Sequence, residues 1–254
     1  MKSDSRSVSK SLKVLVIDVG GTKIKILATG KRTSRKVPSG PAMTAREMVK
    51  SVQLLAADWS YDAIAVGYPG RVRDGIPVDE PKNLGSGWVG FDFEDAFSRP
   101  VKMINDAAMQ ALGSYEGGRM LFLGLGTGLG SALITDGVLV PMEVAHLLYR
   151  NRRTYEDYVG LRGLRRYGKK KWRRHVKDVV TALHEALLAD YVVIGGGNAK
   201  LLTALPKWAR LGDNSLAFLG GLRLWDEAWK DERPCCVVRR YQVGENTWQQ
   251  TCAV

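Results

Sequence analysis

The sequence predicts an α/β fold built from two similar halves, and three observations lead there. Short apolar strands alternate with amphipathic helices along the chain. A strand, a glycine turn and a second strand occur near the N terminus and again in the middle. A polar pair, Asn105-Asp106, closes one apolar strand, the position where α/β sheets carry their chemistry.

The first element is "VLVIDVGGTKIKILATG", Val14 to Gly30. Val14 to Ile17 form a β-branched run, and Ile24, Ile26 and Ala28 alternate with polar residues, so two strands are expected with a tight turn between them. Gly20-Gly21 permits positive φ and removes two side chains. The turn reads either as a hairpin that needs Gly-Gly for its geometry alone or as an anion-holding nest, with Thr22 and Lys23 adding donors and charge.

"AREMVKSVQLLAADW" follows as a helix with Met48, Val52, Leu55 and Ala56 on one face, and "AIAVGYPG" as a buried strand ending in a turn. The segment from Arg71 to Phe93 is loop-rich, punctuated by Pro77, Pro81 and glycines, with Trp88, Phe91 and Phe93 needing cover. "VKMIND" is a strand and "AAMQALGSYEG" a helix. "MLFLGLGTGLGSALITDGVLV" repeats the opening motif, with Gly126, Thr127 and Gly128 at its turn. It leads into another strand, not a helix, which excludes a dinucleotide-binding fingerprint. The helix "WRRHVKDVVTALHEALLAD" places Val176, Val179, Val180, Leu183 and Leu187 inward. The buried strand after it stops at Gly195, Gly196 and Gly197, a signal for close backbone approach to a ligand.

At 254 residues, 45% hydrophobic and 25% charged, the composition is that of a globular protein. The first eleven residues are polar and read as a disordered tail, and no apolar run reaches the roughly 20 residues needed to cross a bilayer, so a cytoplasmic protein without membrane contact is expected. Cys235, Cys236 and Cys252 suggest neither a disulfide framework nor a zinc site.

Net charge is +12, and nine Lys or Arg with no Asp or Glu lie between Arg162 and Lys177. A solvated helix face is one reading. A polyanion contact through Lys169, Lys170 and Lys171 is another, and a nucleic-acid surface using Tyr167 and Trp172 as stacking platforms is the third. The near-miss phosphate loop "GLRRYGKK" lacks its final Ser or Thr and a preceding strand.

"DVGGTKIK", "GYPG", "NLGSGW", "IND", "LGTGLGSALITDGVLVP", "EVAH", "YEDY" and "VVIGGGNAK", in this order, resemble the ROK family of sugar kinases, and most of all the polyphosphate glucokinases within it. The resemblance runs from about Val14 to Trp225. It implies an α/β actin-like ATPase (ribonuclease H-like) fold, two lobes with mixed sheets and a cleft between them. The expected organisation is a small N-terminal lobe over 12–104 and a large C-terminal lobe over 105–214. A helix over 215–230 returns to the first lobe, and 231–254 has no assigned structure.

The resemblance also implies a function: transfer of a phosphoryl group from ATP or polyphosphate to the 6-hydroxyl of a sugar, glucose first. Asp106 would be the general base, with a helix N-cap as its alternative role. Asn83, Asn105, Glu143, His146 and Glu156 would form the sugar pocket. Asp18, Gly20, Gly21, Thr22, Lys23, Gly126, Thr127, Gly128, Gly195, Gly196 and Gly197 would meet the donor. Asp18 would hold Mg²⁺ through water.

Two features depart from the family. Ala145 stands where the motif Glu-x-Gly-His has Gly, and no cysteine precedes Cys235, so no zinc is expected although many relatives hold it beside the motif histidine. A homodimer is the expected assembly, and nucleic acid is not an expected partner. A ROK-type repressor would need an N-terminal helix-turn-helix for which eleven polar residues leave no room. A catalytically silent sugar-binding or nucleic-acid-binding relative is the other alternative.

Overall fold

A computed structural model describes residues 12–226 and the backbones of two further strands at 239–243 and 247–251. The expected N-terminal tail lies outside the described residues, as does most of the segment after residue 226. Among the described residues no helix is long and apolar enough to cross a membrane.

The first half contains β1 (Val14–Val19), β2 (Lys23–Ala28), β3 (Arg35–Pro38), α1 (Ala45–Leu55) and β4 (Ala63–Tyr68). A small hairpin of β5 (Val72–Arg73) and β6 (Ile76–Pro77) follows, then α2 (Phe93–Phe97), β7 (Val101–Asn105) and α3 (Asp106–Ser114). The sheet order is β3-β2-β1-β4-β7, antiparallel among the first three strands and parallel among the last three.

The second half contains β8 (Arg119–Leu125), β9 (Leu129–Thr135), β10 (Val138–Met142), a 3-10 turn at Val144–His146, and the short pair β11 (Leu148–Arg150) and β12 (Arg153–Thr154). Then come α4 (Tyr155–Val159), α5 (Leu161–Ala186), β13 (Tyr191–Gly195), β14 (Ala209–Leu211) and α6 (Leu216–Arg223). Its sheet order, β10-β9-β8-β13-β14, carries the same three antiparallel and three parallel strands. The echo between the two glycine hairpins is therefore a repeat of topology. Two strands at the C-terminal end, β15 (Arg239–Val243) and β16 (Thr247–Thr251), pair antiparallel.

Both faces of β1 are covered, which is why its sequence is a continuous apolar run and not an alternating one. Leu15, Ile17 and Val19 join Ile24 and Ile26 against Met48, Val52, Phe93 and Phe97 from α1 and α2. Val14 and Val16 face the other way, onto Met109 of α3 and Ala217 and Phe218 of α6. Asp18 continues the Val14, Val16 row, so it emerges at the α3 side of the sheet where the apolar cover ends. Helix α1 is started by a reciprocal cap between Thr44 and Glu47. Helix α6 lies on α3, β1 and β4. Behind it Trp225 donates its indole N–H to Ile64 O at 3.0 Å, with Lys102 Nζ 4.1 Å from the Trp225 ring centre.

Candidate active site

The site is built around the N terminus of α3. Asn105 ends β7, and its side-chain oxygen accepts from Ala107 N at 2.9 Å and Ala108 N at 3.3 Å, so Asn105 caps the helix. This corrects the alternative role given to Asp106, which is the first helical residue. The Asn105 amide also donates to Gly70 O at 2.9 Å. Its oxygen is thus committed to the cap, and toward a sugar only the remaining N–H is free to act.

Asp106 points a carboxylate into a junction between the two sheets. Gly67 of β4 lies directly behind it: a Cβ at Gly67 would collide with the Met109 side chain and stand 3.6 Å from Asp106 Cα. On the other side, a Cβ at Gly130 of β9 would reach the Ala107 methyl at 2.6 Å. Two missing side chains let the first turn of α3 wedge between the lobes. Burial, then the nearby Asp18 carboxylate, push the Asp106 carboxyl up to about 7, against the pull of the Ala107 N–H at 2.8 Å.

Asp18 is itself paired with Lys25 Nζ at 3.0 Å. Lys23, the lysine expected at the phosphate, is exposed at the start of β2, and Lys25 two residues on is the one that touches the carboxylate. Neither Gly20 nor Gly21 adopts positive φ. This overturns the torsional reason for the pair, and the reason is steric. A Cβ at Gly20 would lie 2.8 Å from Lys23 O, and one at Gly21 would lie 3.0 Å from Asn83 Cβ. The Gly20 N–H closes the turn on Lys23 O at 3.2 Å, and Thr22 is exposed at the tip.

The second hairpin is assembled from side chains distant in sequence. The Gly126 N–H is spent on Gly128 O at 3.1 Å, while Thr127 is exposed. Glu156, near the start of α4, occupies the space that a Gly128 side chain would fill, and its Oε2 accepts from Leu129 N at 3.4 Å. The triple glycine after β13 is tied to the same turn, because Asn198 donates from its side chain to Gly126 O at 3.0 Å and from its backbone to Leu125 O at 2.9 Å. Gly196 has φ +85° and gives its N–H to Asn214 Oδ1 at 3.1 Å.

Glu143 precedes the 3-10 turn after β10 and His146 ends it. The buried Ser131 hydroxyl on β9 donates to Met142 O at 3.0 Å and accepts from Val144 N at 3.3 Å, fixing the backbone on both sides of Glu143. Partial burial, with Glu156 nearby, raises the Glu143 carboxyl, and His146, Lys82 and Arg71 oppose the rise. Ala145 is buried in a helical turn, a conformation Ala adopts without strain, so the family's Gly is not needed for backbone reasons here. The structure therefore couples these groups in a chain, Asp18 to Asp106, Asp106 to Glu143, and Glu143 to His146 and Glu156. Asn83, exposed, sits against the first hairpin, and its neighbour Lys82 lies 4.0 Å from Glu156 across the cleft.

Three cations that the sequence reading did not select belong to this group: Lys25, Lys82 and Arg71. Arg71 is held by two bonds to Asp79, at 2.5 and 2.7 Å. Lys25 and Lys82 are next or next but one to residues that were selected. Arg71 directly follows "GYPG".

Lys169, Lys170 and Lys171 are exposed and follow a break in α5 at Gly168, which has φ +69°. The nucleic-acid reading of this segment loses its aromatic platforms. Trp172 is fully buried, donating to Val159 O at 2.8 Å, and Tyr167 stacks on Tyr158 with ring centres 5.1 Å apart. Both serve the second core. The α5 N terminus abuts the second hairpin, Leu161 N donating to Thr127 O at 3.1 Å.

Comparison with known proteins agrees with this geometry. The ROK family profile matches residues 14–141. A polyphosphate glucokinase of Mycobacterium leprae (strain TN) is 26% identical over 236 residues, 84% of this chain and 71% of that protein. One of Mycobacterium tuberculosis (strain CDC 1551 / Oshkosh) is 28% identical over 222 residues, 78% of this chain and 81% of that protein. The crystal structure of an inorganic polyphosphate/ATP-glucomannokinase from Arthrobacter sp. strain KM superposes with a TM-score of 0.71 at 24% identity, covering 83% of this chain and 96% of that one. With its two mixed sheets in the arrangement of the actin-like ATPase fold, the chain belongs to the ROK family.

Proposed function

We propose that this sugar kinase transfers the terminal phosphoryl group of ATP or polyphosphate to the 6-hydroxyl of a hexose, with glucose the first candidate. The observation that carries the reading is the Asp106 carboxyl at the N terminus of α3, raised to about 7 and standing beside Asp18 where the two glycine hairpins converge. A group with that proton affinity is suited to accept a hydroxyl proton near neutral pH. Polyphosphate glucokinases among the relatives support both glucose and polyphosphate.

In this mechanism the sugar lies between the loop carrying Asn83 and the elements carrying Glu143, His146 and Glu156, whose carboxylates and imidazole pair with hydroxyls. The 6-oxygen attacks the terminal phosphorus, its proton passes to Asp106, and the bond to the bridging oxygen breaks, leaving ADP or a polyphosphate one unit shorter. Backbone groups of the two hairpins and the side chains of Thr22 and Thr127 approach the phosphates from opposite lobes.

Mg²⁺ fits this site through its donor set. Among the described residues no three His, Cys, Asp or Glu side chains converge on one ion. A nucleotide-bound Mg²⁺ does not need such a cage, since phosphate oxygens and water supply most of its six ligands and one carboxylate suffices to place it. Asp18 would be that carboxylate, acting through water. When bound, the ion neutralises phosphate oxygens.

The test is a coupled assay for hexose 6-phosphate formation by purified protein, with glucose and other hexoses against ATP and polyphosphate. Formation with glucose supports the reading, and no product from any pairing would overturn it.

A further inference from the structure

We propose that the outer strands of the first sheet form an extended phosphate subsite, in which Lys25 and Lys36 hold the phosphates of a polyphosphate donor beyond the one transferred. The proposal rests on the phosphoryl-donor reading of the cleft and names the substrate class of that site.

Strand register carries the argument. Asp18 on β1 is opposite Lys25 on β2, and Lys25 is opposite Lys36 on β3. Ile24, Ile26 and Val37 all turn to the α1 core, so alternation places Asp18, Lys25 and Lys36 together on the other face. With strands about 4.8 Å apart, Lys36 stands about 10 Å from Asp18 along one straight row. Lys23 is two residues from Lys25 on the same face.

The row leads from Asp18 to the edge of the sheet. Lys25 is 29% exposed and already engaged with Asp18, while Lys36 is exposed. Like charges facing each other on adjacent strands destabilise a sheet, and an anion lying between them removes that repulsion. A linear polyphosphate presents the same charge at every unit, so a chain with its terminal phosphate at Asp106 and later units over Lys25 and Lys36 stays beside cations spaced about 4.8 Å apart. ATP ends its run of charge at the third phosphate and continues as a nucleoside. Lys36 should therefore discriminate between the donors.

Two other accounts make different predictions. Lys36 on an edge strand is also what a sheet needs to resist edge-to-edge pairing, a role indifferent to the donor. A chain that left the cleft over the second lobe would instead follow Lys169, Lys170 and Lys171, which lie beyond a first helical segment of seven residues, about 10 Å of α5 from the Thr127 turn.

The experiment uses the full chain and two readouts. Calorimetric binding of long-chain polyphosphate without sugar is compared for wild type, Lys36→Glu, Lys36→Gln, a variant carrying Lys169→Glu, Lys170→Glu and Lys171→Glu, and Lys50→Glu, an exposed position on α1 with the same change in net charge as Lys36→Glu. The ratio of kcat/KM with polyphosphate to that with ATP is then measured at low and high salt. Lys36→Glu should weaken binding and lower the ratio about tenfold, Lys36→Gln by less, and Lys50→Glu under about twofold, the differences shrinking at high salt.

Wild-type binding by Lys36→Glu overturns the proposal, as does failure of the wild-type protein to bind polyphosphate. Equal loss in Lys50→Glu, or a loss confined to a variant carrying Lys169→Glu, Lys170→Glu and Lys171→Glu, also overturns it. Absence of any kinase activity would sink the catalytic reading while the binding arm still decided the subsite.

Discussion

Replacing Asp106 with Asn separates the chemical role of this side chain from its structural surroundings. The amide keeps the size of the carboxyl and an oxygen able to accept the Ala107 N–H, which lies 2.8 Å from Asp106 Oδ1. No cap is lost, because Asn105 caps α3. What disappears is proton-accepting power, and general-base contributions are about 10²- to 10⁴-fold. Turnover should fall by that factor while sugar affinity, measured calorimetrically, changes less than about twofold.

The same substitution has a stability signature of opposite sign. Folding raises the Asp106 carboxyl from 3.8 to about 7, so the fold favours the protonated form. The stability linked to this group is fully present below the unfolded value and is lost as pH rises through about 7. A difference of about three pH units, at 1.36 kcal/mol each, sets a ceiling of about 4 kcal/mol. The effective dielectric at a half-buried site leaves an expectation of about 1–2 kcal/mol.

At pH 8 without metal, Asp106→Asn should therefore melt about 2–8 °C above wild type, and at about pH 3, below the unfolded value, the two should coincide. Retention of more than about a third of wild-type turnover would show that another group takes the proton, since even the low end of the expected loss is larger. A lower melting temperature at pH 8 would show that the carboxylate is needed for the fold.

Other perturbations test other links. Gly67→Ala drives a methyl into Met109 and toward Asp106; it should destabilise by about 1–3 kcal/mol in urea titrations and depress turnover more than sugar affinity. Asn105→Ala removes the cap of α3 and should cost about 1 kcal/mol, whereas Asn105→Asp should keep most of the capping energy. Turnover should vanish with EDTA, return with Mg²⁺ and be untouched by a zinc-selective chelator, and stoichiometric zinc in the purified protein by mass spectrometry would contradict this. The acid limb of kcat/KM against pH should rise toward about 7 and shift to lower pH as free Mg²⁺ increases, because a cation near Asp18 offsets the charge that raises Asp106.

The periodic signals were legible because they are local. Apolar runs at 14–19, 63–68 and 191–195 mark buried strands, and the spacing of Met48 and Val52 marks a helix with one buried face. Elements with no such signal escape the sequence: the β5–β6 pair lies in the segment read as loop-rich, and β3 and the five-residue α2 have no reading there, because all of them depend on partners that sequence spacing does not reveal. The same limit applies to side chains. Lys23 and Lys25 are equivalent in sequence, and only the pairing of β1 with β2 shows that Lys25 faces Asp18. Asn105 and Asp106 are both good caps, and the end of β7 decides which takes the role. Tyr167 and Trp172 sit among nine cations in the sequence, yet the helix turns both inward and leaves the charges outside.

The pattern of charge in the cleft gives a physical reason for coupling between the substrates. Asp18, Asp106, Glu143 and Glu156 crowd a region where burial raises two of them, and the nearby cations are already engaged, Lys25 with Asp18 inside the group and Arg71 with Asp79 outside it. A sugar brings no charge and leaves this repulsion in place, though in the proposed pocket its hydroxyls would satisfy the carboxylates of Glu143 and Glu156 as hydrogen-bond acceptors. A donor phosphate with Mg²⁺ would add charges of both signs, with Asp18 the carboxylate that would hold the cation. Sugar binding alone should therefore depend weakly on salt, whereas donor binding should depend on it strongly and should require the metal. The Lys82–Glu156 approach at 4.0 Å bridges the two lobes with an exposed lysine, a contact worth little by itself. What joins the halves is apolar packing instead, α3 and α6 lying on β1 and β4 through Met109, Ala217 and Phe218, so the charged cleft is the part whose energy a bound ligand changes.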